Sequence, residues 1–196
     1  MGIPKLKFIT WNSLFRDILD LCKIIIDEGY PADTIVAISR GGLVVSRIVS
    51  DIMNISDIMI VAVKAYENIA RPRKEVVIVS GLNGDIKGRR VLLVDDIVDT
   101  GSTLEVTLRY LEEQNPLVIK SAAPYVKPWA SIKPDYYVKE VKEWIVFPYE
   151  VGETLRSLER LFSRSGSIDQ LLTSLGLEKE VVEYFKKLTS ISPFRE

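Results

Sequence analysis

The sequence predicts an α/β protein built on an open, mainly parallel sheet with helices on its faces. Three observations predict it. Short continuous β-branched runs such as Thr34–Ser39 (TIVAIS) lack the alternation of a half-exposed strand, and so suit parallel strands covered on both faces. Stretches of amphipathic helical spacing lie between these runs. Strand and helix then alternate as far as about residue 150. The composition supports one full-sized core, since 47% of the 196 residues are hydrophobic and 27% are charged.

The elements follow in order. Residues 13–28 form the first helix, because Leu14, Ile18, Leu21 and Ile25 recur at intervals of three and four. Arg16, Asp17, Asp20 and Lys23 stand between them, and Gly29 and Pro31 end the helix. The TIVAIS strand comes next, then a helix over residues 43–53 with Val44, Ile48 and Ile52 in line, then an apolar strand over 59–65. Between residues 66 and 79 the polar, basic ENIARPRKE leads into VVIVS, the pattern of a mobile hairpin or loop. A buried strand occupies 91–94, and a helix with Leu104, Leu108 and Leu111 occupies 102–114. A further strand covers 119–126, and 136–147 holds two more extended pieces. From residue 151 leucines and aromatics take a helical period, which predicts a helical appendage over 151–196 beside a main domain of 1–150.

The residues that are missing narrow the chemistry. The chain has no histidine, which excludes Ser-His-Asp and Cys-His triads and His-ligated zinc. Its one cysteine, Cys22, sits among Leu21, Ile24 and Ile25 and reads as a small buried hydrophobe. The first ten residues lack the apolar region of a signal peptide, and charges interrupt the most apolar stretch, residues 34–63. A soluble cytoplasmic protein without membrane contact is expected. A net charge of −1 gives no footprint for nucleic acid. Neither GxxxxGK[ST] nor GxGxxG occurs, so P-loop and dinucleotide-binding readings fall away.

Residues 91–103, VLLVDDIVDTGST, carry the chemistry. Four apolar residues form a buried strand, and Asp95 and Asp96 follow at its carboxyl end, where open α/β sheets bind their ligands. Asp99, Thr100, Gly101, Ser102 and Thr103 then lead into a helix whose free N–H groups and dipole suit a phosphate. Adjacent acids beside that cradle suit two neighbouring ribose hydroxyls, or a divalent cation held through water. An acid at a strand end or a Thr at a helix start is commonplace; the combination describes a phosphorylated ribose. Ser39-Arg40-Gly41-Gly42 repeats the strand-to-helix pattern, with glycines for close backbone approach and a guanidinium for an anion.

These residues resemble the phosphoribosyl-pyrophosphate (PRPP) motif of the type I phosphoribosyltransferases, over roughly residues 34–150. The resemblance implies that family's fold, with a small base-binding hood. It implies PRPP, a purine base, a nucleoside monophosphate and pyrophosphate as partners, Mg2+ as cofactor, and a homodimer or homotetramer. Asp95 and Asp96 would face the ribose hydroxyls and the metal-bound PRPP, and Thr100, Gly101, Ser102 and Thr103 would bind the 5′-phosphate. Asp99 would lie near N7 of a purine as general acid/base. Ser39, Arg40 and Gly41 would bind pyrophosphate, with a non-proline cis peptide expected at Arg40–Gly41, and Lys64 would meet the same group. Tyr66, Arg71, Arg73 and Lys74 fall in the position of the loop that closes over the site. Ala65 stands before Tyr66 where a Ser-Tyr pair is usual.

For the base, the resemblance is to xanthine-guanine enzymes. Lys127-Pro128 follows the SAAPYV strand, and Trp144-Ile145 opens a later strand. Trp144 offers a stacking surface, Lys127 a donor to a 6-oxo group, and Ile145 a backbone carbonyl. Tyr149 and Glu150 stand where those enzymes have Trp-Asp, which makes Glu150 a further candidate beside the metal. The expected activity is transfer of the phosphoribosyl group to hypoxanthine, guanine or xanthine. Two alternatives stay open at this point: the same fold acting on adenine or orotate, and a regulator that binds PRPP or nucleotides without catalysis.

Overall fold

In the computed structural model, β1 (Leu6–Phe8) and α1 (Trp11–Glu28) open the chain, followed by β2 (Thr34–Ser39), α2 (Gly41–Met53) and β3 (Ile58–Tyr66). Next come β4 (Glu75–Ser80), β5 (Arg90–Val94), β6 (Ile97–Val98), α3 (Ser102–Glu112), β7 (Val118–Val126), β8 (Tyr136–Glu140) and β9 (Trp144–Val146). The structure describes residues 5–66 and 75–154, together with Glu180, Val181, Glu183, Tyr184 and Lys187. Residues 151–154 and those five positions are helical; the rest of the predicted appendage lies outside the described residues. Among the described residues no helix is long and apolar enough to cross a membrane.

The chain divides into two compact units, Leu14–Lys142 on the one hand and Met1–Ser13 with Glu143–Glu196 on the other. The first holds a seven-stranded sheet in the order β4-β3-β2-β5-β7-β6, with β8 also on β7. Every pairing is parallel except that of β4 with β3. β2 and β5 lie centrally, and residues 34–38 and 91–94 are buried, as a strand covered on both faces requires. Val36, Ile38, Val61, Leu93, Val98, Leu104 and Leu111 pack into one core cluster. Each such side chain contributes roughly 1.5–3 kcal/mol on burial, so the central strands are the rigid platform for whatever their ends carry.

In the second unit, β1 and β9 pair in parallel, with Leu6 opposite Trp144 and Phe8 opposite Val146. The division between units falls after Lys142 and takes the amino terminus with it, a result of pairing between distant strands that chain order does not reveal.

Three local features differ from the sequence expectations. β1 and β6, of three and two residues, were too short to carry a period. β6 resumes alongside β7 where β5 breaks off, so Asp95 and Asp96 interrupt what is nearly one strand. Asp17, expected on the solvent face of α1, is only 3% exposed. It is tolerated there because the Tyr125 hydroxyl donates to its Oδ2 at 2.6 Å and the Lys139 ammonium pairs with its Oδ1. Cys22 is buried as expected, and burial pushes its thiol up to about 11, far from a reactive thiolate.

Asp135, just before β8, ties that strand to β7. Ser121 donates to its Oδ2 through N–H and Oγ at 2.8 and 2.7 Å, and Lys120 donates to Oδ1 at 2.9 Å. Partial burial pushes this carboxyl up, but the Ser121 hydrogen bonds and the Lys120 ammonium outweigh it and hold the group below the usual carboxylate range. A value depressed in the folded state stabilises the fold above the ordinary carboxylate titration, and that contribution is lost as pH falls through the depressed value. Asp135→Ala is therefore expected to cost about 1–2 kcal/mol at neutral pH, with the difference in Tm from wild type closing on acidification. A difference independent of pH would contradict the assignment.

Candidate active site

The site begins where β5 ends. Asp95 N–H donates to Ala122 O at 3.0 Å, the last bond of the β5–β7 register, and Asp96 N–H turns back onto Asp95 Oδ1 at 2.9 Å. Asp96 is 7% exposed, and its carboxylate lies against Gly41. A Cβ at Gly41 would stand 1.9 Å from Asp96 Oδ2, so the first turn of α2 comes this close only because the residue is glycine. The Ser39-Arg40-Gly41 loop and the acid pair therefore form one constellation. The cis peptide is at Ser39–Arg40, one bond earlier than the expected Arg40–Gly41. Arg40 is exposed and stands at the N-cap of α2, where its side chain does not supply the capping hydrogen bond. β3 runs parallel to β2 with Ala62 opposite Ser39, which puts Lys64, also exposed, two residues further along the same carboxyl edge.

Past β6 the chain turns through Asp99, Thr100 and Gly101 into α3. Gly101 has φ +91°, a conformation that L side chains rarely adopt, and a Cβ there would also meet Ile132 N and Ser131 Oγ at 2.8 Å. Gly101 caps α3 without a side-chain hydrogen bond, while Thr100 Oγ1 accepts from Ser102 N–H at 3.3 Å and donates to Ser102 Oγ at 3.2 Å. Asp95, Asp99, Thr100, Gly101 and Thr103 line a single hollow with the ends of β6 and α3. One wall is the amino end of a helix and the other carries carboxylates, so the hollow suits a ligand with a phosphate at one end and hydroxyls at the other.

Residues 10–154 match the family model described as the phosphoribosyl transferase domain. This chain belongs to the phosphoribosyltransferase family. Among the relatives of this phosphoribosyltransferase is the xanthine-guanine phosphoribosyltransferase of Chromohalobacter salexigens, 32% identical over 146 residues, which are 74% of this chain and 83% of the relative. A purine phosphoribosyltransferase from Pyrococcus horikoshii superposes with a TM-score of 0.67 at 35% identity, over 74% of this chain and 93% of that one. The xanthine-guanine-hypoxanthine phosphoribosyltransferase of Helicobacter pylori shares the fold, with a TM-score of 0.65 at 24% identity over 79% and 99% of the two chains. The open, mainly parallel α/β sheet expected from sequence is thus the fold of this family.

The remaining candidates of this phosphoribosyltransferase fall in three groups. Lys127 joins the hollow's unit: it is 5% exposed, and its N–H donates to Val98 O at 2.9 Å, one residue before Asp99. Trp144, Ile145 and Glu150 belong to the other unit. There Trp144 is 56% exposed, which removes core packing as its explanation, whereas Ile145 and Phe147 are buried. Phe147 stacks on Tyr149 with ring centroids 5.1 Å apart, and Glu150 N–H donates to Phe147 O at 3.0 Å. Tyr66 ends β3, while Arg71, Arg73 and Lys74 lie outside the described residues. β3 and β4, which flank residues 67–74, pair antiparallel with Tyr66 opposite Glu75.

Sequence reasoning missed Trp129. Its Nε1 donates to Asp99 Oδ1 at 3.1 Å, and its ring lies under Lys127 Nζ, 5.4 Å from the centroid. Only its place two residues past Lys127 could have flagged it. Among the described residues no three His, Cys, Asp or Glu side chains gather as a metal cage. The neighbouring carboxylates of Asp95 and Asp96 suit instead a hard cation shared with the phosphates of a substrate.

Proposed function

We propose that this phosphoribosyltransferase transfers the phosphoribosyl group of PRPP to a 6-oxopurine, giving the nucleoside 5′-monophosphate and pyrophosphate. The observation that carries the reading is the single hollow in which Asp95, Asp99, Thr100, Gly101 and Thr103 meet. The two similar proteins named for xanthine and guanine or for purines, at 32% and 35% identity, support the choice of base.

In this mechanism the main-chain amides and hydroxyls of Thr100, Gly101, Ser102 and Thr103 hold the 5′-phosphate, and Asp95 and Asp96 hold the ribose hydroxyls. Ser39, Arg40, Gly41 and Lys64 gather charge around the pyrophosphate. N9 of the base forms a bond to C1′ as the C1′–O bond to pyrophosphate breaks, its electron pair leaving with pyrophosphate. The proton on N7 passes to the Asp99 carboxylate. Lys127 donates to the 6-oxo group, Trp144 stacks on the base, and the Ile145 carbonyl accepts from its far edge. Asp95 and Asp96, with Glu150 as a further candidate, would hold a Mg2+ brought in with PRPP, which would supply positive charge beside the leaving pyrophosphate. Tyr66, Arg71, Arg73 and Lys74 belong to a loop that excludes water from the oxocarbenium-like centre. The enzyme works in the cytoplasm as a homodimer or homotetramer.

Pyrophosphate release from PRPP with each of guanine, hypoxanthine, xanthine, adenine and orotate tests the reading. Turnover with one or more of the first three is expected. Activity confined to adenine or orotate would overturn the base assignment, and PRPP binding without turnover on any base would mark a binding protein. Lys127→Ala is expected to shrink the preference for 6-oxo over 6-amino purines by about tenfold or more, since a site that pairs a polar group rejects the analogue lacking it. Unchanged selectivity would put the base elsewhere.

A further inference from the structure

Trp129 touches both groups that the mechanism assigns to one edge of the base. N7 and O6 of a 6-oxopurine are neighbours on that edge, so the side chains that read them, Asp99 and Lys127, must be held at a matching separation. Lys127 is fixed at its backbone by Val98 O, at 2.9 Å. Asp99 lies on an exposed turn, and the indole N–H of Trp129 reaches its Oδ1 at 3.1 Å. The other contact of the indole is through its ring, 5.4 Å from Lys127 Nζ, within reach of a cation–π attraction.

The backbone that carries Trp129 is itself pinned to the phosphate turn. Ser131 donates to Thr100 O through both N–H and Oγ, at 2.9 and 2.8 Å. Ala130 N–H closes the turn onto Lys127 O at 3.1 Å. Ile132 lies so close to Gly101 that no Cβ fits between them. The indole is therefore presented from a rigid strap, although Trp129 is itself 56% exposed and contributes little to the core.

We infer that Trp129 is a positioning residue for the base edge: its N–H orients the Asp99 carboxylate while its ring seats the Lys127 ammonium, setting the distance between the two groups. The inference rests on the phosphoribosyl-transfer reading above. It concerns a residue that acts through Asp99 and Lys127 and does not itself take a proton.

Kinetics of two substitutions separate the two contacts. Trp129→Phe keeps an aromatic ring beside Lys127 and deletes the N–H. Its kcat is expected to fall about tenfold, the scale of one hydrogen bond to a charged group, with KM for PRPP unchanged. In an Asp99→Asn background the same substitution is expected to change kcat less than about twofold, because residues acting through one another are not additive. Trp129→Ala also removes the ring and is expected to raise KM for guanine and relax the 6-oxo preference. As a readout independent of turnover, the indole N–H resonance of Trp129, assigned by its absence from Trp129→Phe, is expected to move in Asp99→Ala. Unchanged kcat in Trp129→Phe, losses that multiply with Asp99→Asn, or an unmoved resonance would each overturn the role. Absence of transfer by the wild-type chain on every base would remove the family reading and this role with it. Transfer by the wild type with independent variants would remove the role alone.

Discussion

Asp99→Asn is expected to lower kcat by about 10²- to 10⁴-fold, the range that general acid–base catalysis contributes, while leaving the affinity for PRPP nearly unchanged. The substitution is close to isosteric. Its amide oxygen can still accept the Trp129 indole N–H that Asp99 Oδ1 accepts at 3.1 Å, so the turn keeps its geometry. What the amide cannot do is take a proton from N7. Single-turnover rates of nucleotide formation, paired with a PRPP titration, separate the two effects. A matched loss of affinity would make Asp99 a binding residue, and undiminished turnover would remove it from proton transfer.

Gly41→Ala is expected to have an effect of similar size through a different route. The added methyl would lie 1.9 Å from Asp96 Oδ2 and 2.3 Å from its Cγ. Asp96 is buried, so the overlap is relieved only by moving the acid pair or the first turn of α2. Overpacking of this kind costs about 1–3 kcal/mol of stability, and a displacement near 1 Å in a reacting site costs on the order of 10²-fold in rate. A folded variant with a lowered Tm and kcat/KM for PRPP reduced about a hundredfold is the expected outcome. Wild-type kcat/KM in a folded Gly41→Ala protein would show that the pyrophosphate loop and the acid pair are not coupled.

The strength of local signals decided what could be read from the chain. β2 and β5 were legible because four consecutive apolar residues in each, 35–38 and 91–94, admit little besides a covered strand. The phosphate turn was legible because a double acid follows such a strand directly, and hydroxyl residues around a glycine come only a few residues later. β6 was not, since a two-residue strand exists only through its register with Tyr125 and Val126. The pairing of β1 with β9 is equally non-local and carries no sequence period. Asp17 read as solvent-facing because helical spacing says nothing about Tyr125 and Lys139, which arrive from distant strands. Trp129 escaped for a related reason: an exposed aromatic in a turn has no pattern, and its meaning comes from Asp99 and Lys127. Gly41 was recognised as permitting close approach, but what approaches it, Asp96, is visible only in three dimensions.

The crystal structure of the protein with guanosine monophosphate bound tests the central claim most directly. The 5′-phosphate is expected on the amides of Thr100 to Thr103, the ribose hydroxyls on Asp95 and Asp96, and the Hoogsteen edge of the base between Asp99 and Lys127. A nucleotide bound elsewhere, with the Thr100–Thr103 turn vacant, would contradict it.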